Sequence, residues 1–338
     1  MNKKLLAVAI AASAFGTQAV AVELYNNDGT TFAMGGHVSV NLNGSEAGDA
    51  GVGTNSSRIN FTATQELDNG VTVDARGEWG LNFLNGGEQS FTTRLGYIGA
   101  THEELGRAVV GTQWAPYYDV AGVTDMPIAF ANEFIYDNHG ELGTGRGENM
   151  VSYRNGVDLA EAGAIDFGFA WQGTQGDYKD RLQATVAYSI AGATLGYAYN
   201  GGDIKDSTDS AISHVFAASY GSYGNGLYLA GIYAANENMN ELTIGSNSSV
   251  TLAESNGYEA IAAYALANSL NFSVNYEMVE GEVFKGASTS TEREEMAFQV
   301  EYNFASNIVG YTGYQFDLKS EDGYKSDDKW TIGARFYL

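Results

Sequence analysis

Beyond residue 22, apolar and polar side chains alternate with a period of two through most of the chain, and this pattern limits the fold more than any other feature. From residue 71 to 83 the odd positions are Val71, Val73, Ala75, Gly77, Trp79, Leu81 and Phe83. The even positions are Thr72, Asp74, Arg76, Glu78, Gly80 and Asn82. Successive side chains of a β-strand point to opposite faces, so this segment reads as a strand with one apolar and one polar face. The split recurs where Leu182, Ala184, Val186, Tyr188 and Ile190 oppose Arg181, Gln183, Thr185, Ala187 and Ser189. At the end of the chain Trp330, Ile332, Ala334, Phe336 and Leu338 oppose Thr331, Gly333, Arg335 and Tyr337.

Segments of this type fall at 31–42, 56–68, 70–84, 91–101, 107–114, 147–155, 163–172, 181–190, 192–200, 212–220, 226–235, 256–266, 269–281, 292–304, 307–318 and 328–338. Sixteen is an even number, and most segments have the length a tilted strand needs to cross a bilayer. Short turns such as Asp68-Asn69-Gly70 alternate with longer polar loops such as 201–212 and 235–255. Short turns at one end and long loops at the other describe an all-β, 16-stranded antiparallel transmembrane β-barrel. A pair of sandwiches would need a linker, and no Pro/Ser-rich break interrupts the chain. A propeller would show a blade repeat, and none is visible. No apolar run after the N-terminal segment is long enough for a transmembrane helix.

Lys3 and Lys4 precede the apolar run LLAVAIAASAF and then Ala19-Val20-Ala21. This order of charge, apolar core and small-x-small site predicts a secretory signal over 1–21, with one barrel domain over 22–338. The chain has no cysteine, so an exported barrel here relies on packing and hydrogen bonds alone. Its formal net charge is −24, and two units more negative without Lys3 and Lys4. Such a field repels nucleic acid and attracts cations. With 22 Tyr, 16 Phe and 43 Gly, the acidity belongs to ordered β structure with many turns rather than to a disordered chain.

One stretch breaks the pattern. "GVTDMPIAFANEFIYDNHGELGTGRGENM", from Gly122 to Met150, has no period and carries one of the two prolines, Pro127. A structureless connection of this length inside a regular protein is usually functional or disordered. A barrel of about sixteen strands is too wide for its side chains to fill. This stretch is the only large spare segment to occupy it.

The mature start "VELYNNDGTTFAMGGHVSVNL", the strand "SSRINFTATQELDNGVTVDARGEWG", the strand "TTRLGYIGA", then "VTDM", "NEF" and "GRGENMVSYRN", and the terminal aromatic strand resemble the general porins of Gram-negative outer membranes. The resemblance runs through the whole mature chain in order. It implies an outer-membrane location, a homotrimer, and a third extracellular loop, here about 120–146, folded into the lumen as a constriction. Irregular backbone at membrane depth is tolerated where it lines a water-filled cavity. The family sets loop carboxylates against wall arginines; by match, Asp125 and Glu133 take the loop positions, Arg58, Arg94 and Arg146 the wall positions, and His37 a basic position on the first strand. The connection 84–90 is short, where the family's counterpart reaches into a neighbouring subunit.

The residues support part of this independently. Arg58 shares a strand face with Asn60, Thr62 and Thr64, opposite Ile59, Phe61 and Ala63; Arg76 lies on a polar face; Arg94 alternates with Leu95 and Tyr97. An arginine facing lipid near the midplane costs about 2–4 kcal/mol, so three neighbouring strands are expected to point Arg58, Arg76 and Arg94 inward. The acidic excess and the arginine cluster pull in opposite directions, giving an expectation of moderate cation selectivity for small hydrophilic solutes and ions. A substrate-selective sugar channel is the second reading, and a non-channel barrel such as an adhesin or hydrolase a remote one. None of the four histidines, His37, His102, His139 and His214, has a serine-centred motif beside it, so no catalytic site is expected. The acidic loops 203–209 and 321–328 do not match a calcium loop. No metal or cofactor is expected; outer-membrane lipid and lipopolysaccharide are the expected surroundings.

Overall fold

The structure, a computed structural model, describes residues 21–84, 91–134, 138–243, 249–320 and 324–338. The expected signal (apart from Ala21) and most of the 84–90 connection lie outside the described residues. The strands are β1 (Val22–Asn27), β2 (Thr30–Ser45), β3 (Gly51–Gly53), β4 (Arg58–Glu66), β5 (Val71–Gly80), β6 (Thr92–His102), β7 (Gly106–Trp114), β8 (Arg146–Asp158), β9 (Ala164–Gln172), β10 (Tyr178–Ile190), β11 (Ala193–Ile204), β12 (Ser210–Ser222), β13 (Asn225–Glu237), β14 (Glu241–Thr243), β15 (Ser249–Thr251), β16 (Glu254–Ala265), β17 (Leu270–Glu282), β18 (Ser290–Ala305), β19 (Ile308–Asp317) and β20 (Lys329–Tyr337).

Sixteen of these, β2, β4 to β13 and β16 to β20, form one closed antiparallel barrel. Each pairs with its neighbour in sequence, and β20 returns to β2 with the register His37↔Tyr337 to Ser45↔Lys329. The other half of that β2 edge is taken by β1, with Val22 opposite Met34. Leu338 N donates to Gly36 O at 3.0 Å between the two. The first and last strands therefore meet end to end along one edge, and no open edge runs the height of the wall. Closure removes the unpaired backbone groups that lipid cannot satisfy.

Apolar residues such as Leu182, Val186, Leu195, Phe216, Ile98 and Ile332 are exposed on the outer face. Gln183 and Thr185, their neighbours on β10, are buried inside, as are Asn275 of β17 and Gln299 of β18. Rows of exposed apolar side chains around the whole barrel are stable in acyl chains and not in water. Turns follow the sequence closely: Ala191 and Gly192 have φ of 52° and 82°, the left-handed pair that a two-residue hairpin requires.

The observed strands differ from the expected ones mainly at their outer ends. β10 starts at Tyr178 rather than 181 and β11 runs to Ile204 rather than 200; β8 covers Arg146–Asp158 rather than 147–155, with most of that gain at its short-turn end. Alternation marks only the stretch between lipid and lumen, whereas the backbone ladder continues above the membrane edge. The opposite occurs at β5, which ends at Gly80 although alternation persists to residue 83.

Candidate pore constriction

After β7 the chain enters the helix α1 (Pro116–Ala121), with proline in its first turn, where the missing amide hydrogen is not needed. Asp119 of this helix accepts from Arg154 Nε at 2.6 Å, and Arg154 also donates to Trp114 O at 2.8 Å. Arg154 is well below the start of β8, so the helix sits at that depth against the inner wall. Four wall glycines make room for the segment. A Cβ on Gly168 would lie 3.0 Å from Pro116, on Gly196 2.9 Å from Val120, on Gly313 3.1 Å from Phe130, and on Gly257 3.3 Å from Phe134.

Irregular backbone leaves amides and carbonyls that need partners, and the inner wall supplies them. Ile128 N donates to Glu301 Oε1 at 2.9 Å, Ala129 N to Gln299 Oε1 at 2.7 Å, and Glu133 N to Glu277 Oε2 at 2.6 Å. Glu259 accepts from both Thr124 Oγ1 and Phe134 N. In return Gln172, Gln183 and Asn200 donate to the carbonyls of Gly140, Gly143 and Leu142 at 2.6, 2.7 and 2.7 Å. From β4's side Asn55 Nδ2 reaches Ile128 O at 2.6 Å. The segment thus runs across β13, β16 and β18 towards β19, then back over β17 and β16 to β11, β10 and β9. Bonds to carboxylates contribute about 1.5–3 kcal/mol each, and an amide left unpaired here costs about 1–3 kcal/mol.

Across from this acidic wall, three arginines converge on one carboxylate. Glu78, buried at 3% exposure, pairs with Arg76 Nη2 at 2.8 Å, Arg94 Nε at 3.0 Å and Arg58 Nη1 at 3.5 Å. The cluster keeps two uncancelled positive charges. His37 lies opposite Arg58 in register and packs edge-on to Tyr337, with ring centroids 5.6 Å apart. Arg335, in register with Ser39, donates to Asn55 Oδ1 at 2.9 Å and extends the basic face.

The structure brings Arg58, Arg76, Arg94 and His37 together. Arg146, at the head of β8, lies within electrostatic reach of Arg58, is bonded to His139 Nε2 at 2.9 Å and is stacked over Trp114. Asp125 accepts from Tyr118 Oη at 2.6 Å within the segment. Glu133 is exposed, with its amide on the acidic wall. Arg58, Arg76 and Arg94 pair with Glu78.

One detail of the expected alternation is corrected. Glu78 faces Leu95 and Trp79 faces Thr93, leaving Arg94 as the extra residue of a bulge. Leu95 is buried and Ile98 is 62% exposed, so Arg94, Leu95 and Tyr97 all face inward. Sequence reasoning also missed Glu78 as the counter-charge and Glu259, Glu277 and Glu301 as the acceptors for the loop. A signal for the last three exists. β12 and β13 place Val215, Ala217, Tyr228, Ala230 and Ile232 on the inner face, where a bare aqueous wall would be polar. Strands apolar on both faces are covered on both faces.

A closed barrel with an apolar girdle, a charged interior and no extra globular plug among the described residues defines an outer-membrane channel. The model of the Gram-negative porin family matches residues 5–322, and the chain belongs to that family. It is 26% identical over 369 aligned positions to outer membrane porin F of Salmonella typhimurium strain LT2, covering 99% of both chains. To outer membrane protein U of Vibrio parahaemolyticus it is 27% identical, covering 94% of this chain and 90% of that one. Among solved structures, Salmonella typhi OmpF in complex with daunomycin superimposes with a TM-score of 0.81 at 22% identity, over 94% of this chain and all of that one. An anion-selective porin from Comamonas acidovorans shares the fold, with a TM-score of 0.68 at 16% identity over 91% of this chain and all of that one. The protein is therefore an outer-membrane porin, a channel for passive diffusion and not an enzyme.

Proposed function

We propose that residues 120–146 form the constriction of this porin, and that the channel passes small hydrophilic solutes and ions with moderate cation selectivity. The observation that carries the reading is the row of wall acceptors Glu259, Glu277, Gln299 and Glu301 under the segment's hydroxyl and amides. It supports a loop held at a fixed depth rather than one free above the rim. Asp125 and Glu133 supply the acidic edge and Arg58, Arg76, Arg94 and Arg146 the basic one, with neutral His37 beside them weakening that side. Opposed unit charges across a wet gap of about 8 Å interact by about 0.5 kcal/mol at bulk dielectric and about 2 kcal/mol at an effective value of 20. Such a field orients dipolar solutes and biases ions without strict recognition. An anion-selective porin has the same fold, which supports reading the sign of selectivity from lumen charges rather than from the barrel.

The assembly is proposed as a homotrimer in outer-membrane lipid and lipopolysaccharide; the Vibrio cholerae OmpT structure of the same fold is described as a trimer form. The test is planar-bilayer recording in a salt gradient, followed by added maltose-type oligosaccharide. Conductance in steps of three and a modest cation preference are expected, with Asp125→Asn lowering that preference and Arg58→Gln or Arg94→Gln raising it. Unchanged reversal potentials in all three variants would remove these residues from the constriction. Saturable block at low sugar concentration would replace the general channel by a substrate-selective one.

A further inference from the structure

Resting on that reading of the loop, we infer that Tyr223 and Tyr228, carried by the short-turn hairpin between β12 and β13, are positioning residues that set how far the constriction descends. Tyr223 sits in the two-residue turn between Ser222 and Asn225, at the rim opposite the long loops. Its ring meets that of Tyr228 edge-on, 6.0 Å between centroids at 87°. Tyr228 is 5% exposed and forms an inner-wall cluster with Ala230, Ile261 and Ala263; Val123 and Met126 of the loop pack on this same cluster, as does Tyr223. Tyr228 Oη donates to Val123 O at 2.6 Å. The Tyr223 hydroxyl lies shut away against Ser273, Asn271 and Glu301, and Glu301 takes the amide of Ile128 at the loop's far reach.

A turn residue of an outer-membrane barrel is ordinarily solvated at the rim. Here it folds upward beneath the loop, and its neighbour holds a loop carbonyl from the side. The two rings form a shelf for Val123 and Met126, while Glu301 fixes the amide two residues beyond Met126. The descending limb is bracketed from below, so the rim hairpin and the constriction move as one unit. The bracket acts through the loop and touches no solute.

The test uses the absence of native cysteine. An Ala129→Cys reporter in the full-length, bilayer-inserted porin is labelled with a membrane-impermeant thiol reagent, and single-channel conductance and current noise are recorded in parallel. Tyr223→Ala should label several-fold faster and conduct with more noise, and Tyr223→Phe, which keeps the ring, should restore the wild-type rate. Tyr228→Phe keeps the barrel's packing and loses only the bond to Val123, so it carries the test if Tyr223→Ala does not fold; an intermediate labelling rate is expected. Wild-type labelling and conductance in both Tyr223→Ala and Tyr228→Phe would overturn the bracket, even where Asp125→Asn still shifts selectivity. Faster labelling with unchanged conductance and selectivity in every variant, Asp125→Asn included, would keep the bracket and overturn the constriction.

Discussion

Glu78 is the residue whose replacement most directly tests the charge logic of this channel. It is isosteric with glutamine, and Glu78→Gln keeps one of the two acceptor oxygens that Arg94 Nε and Arg76 Nη2 now bond separately at 3.0 and 2.8 Å, with the amide NH2 turned to the other guanidinium. What changes is the sum: three guanidiniums and one carboxylate become three guanidiniums alone. An ion passing about 8 Å away feels one extra positive charge, about 0.5 kcal/mol at bulk dielectric, or about 0.25 kcal/mol after screening by a Debye length of about 10 Å at 0.1 M salt. The cation loses and the anion gains that amount, so the cation-to-anion permeability ratio should fall about two- to five-fold. Reversal potential across a potassium chloride gradient reads this ratio, and resistance of the folded barrel to unfolding in detergent controls for damage. Glu78→Gln combined with Arg94→Gln returns the cluster to its original sum and should recover most of the native ratio. A ratio that stays constant in the single variant, or moves towards cations, would refute the claim that this cluster lies along the ion path. A single-variant fall with no recovery in the double variant would mean that the geometry of Arg94 matters more than the sum of charge.

Gly196→Val should push Val120 away from the wall, because even a Cβ at this position would come within 2.9 Å of it; the expected result is a destabilised helix α1 and noisier channels, whereas Gly231→Val, where the nearest atom is a backbone oxygen at 3.3 Å, should disturb the loop far less. On the outer surface Asp327 Oδ1 accepts from Ala47 N at 2.7 Å, tying two long loops together. That bond, with help from the Ser45 hydroxyl, holds the Asp327 carboxyl below the ordinary carboxylate range. A depressed value means that the tie is complete above the unfolded value and is lost as pH falls through the folded one. Hydrogen exchange of the Ala47 amide, corrected for intrinsic rate, should therefore stay protected from neutrality to about pH 4 and lose protection below it; Asp327→Asn should weaken it across the whole range, and pH-independent protection would refute the assignment.

The barrel was legible because lipid outside and water inside impose the same two-residue period on most strands, as at Leu182/Gln183 and Ile332/Gly333. The inward arginines were legible for the same reason, since lipid rejects them. Register was not, because cross-strand partners are chosen by the ladder. Nothing local to Arg94 announces that it is the extra residue of a bulge, or that Glu78, sixteen positions earlier, will meet it. Likewise Glu259, Glu277 and Glu301 sit on separate strands, and only their common relation to the loop makes them a set. Yet the loop's footprint is written in the places where the period fades. An inner face that meets water needs polar side chains; one that meets protein does not. Tyr228, Ala230 and Ile232 face inward while Leu227, Leu229 and Tyr233 face lipid, and both rows are apolar. In a wide barrel no side chain from the opposite wall can reach across to cover the inner row. Covering it takes a segment of chain free of the wall, and the aperiodic stretch after β7 is long enough and packs there. The loss of alternation on β12, β13 and β16 and the aperiodic run of 122–150 are therefore two halves of one sequence signal, each explaining why the other exists.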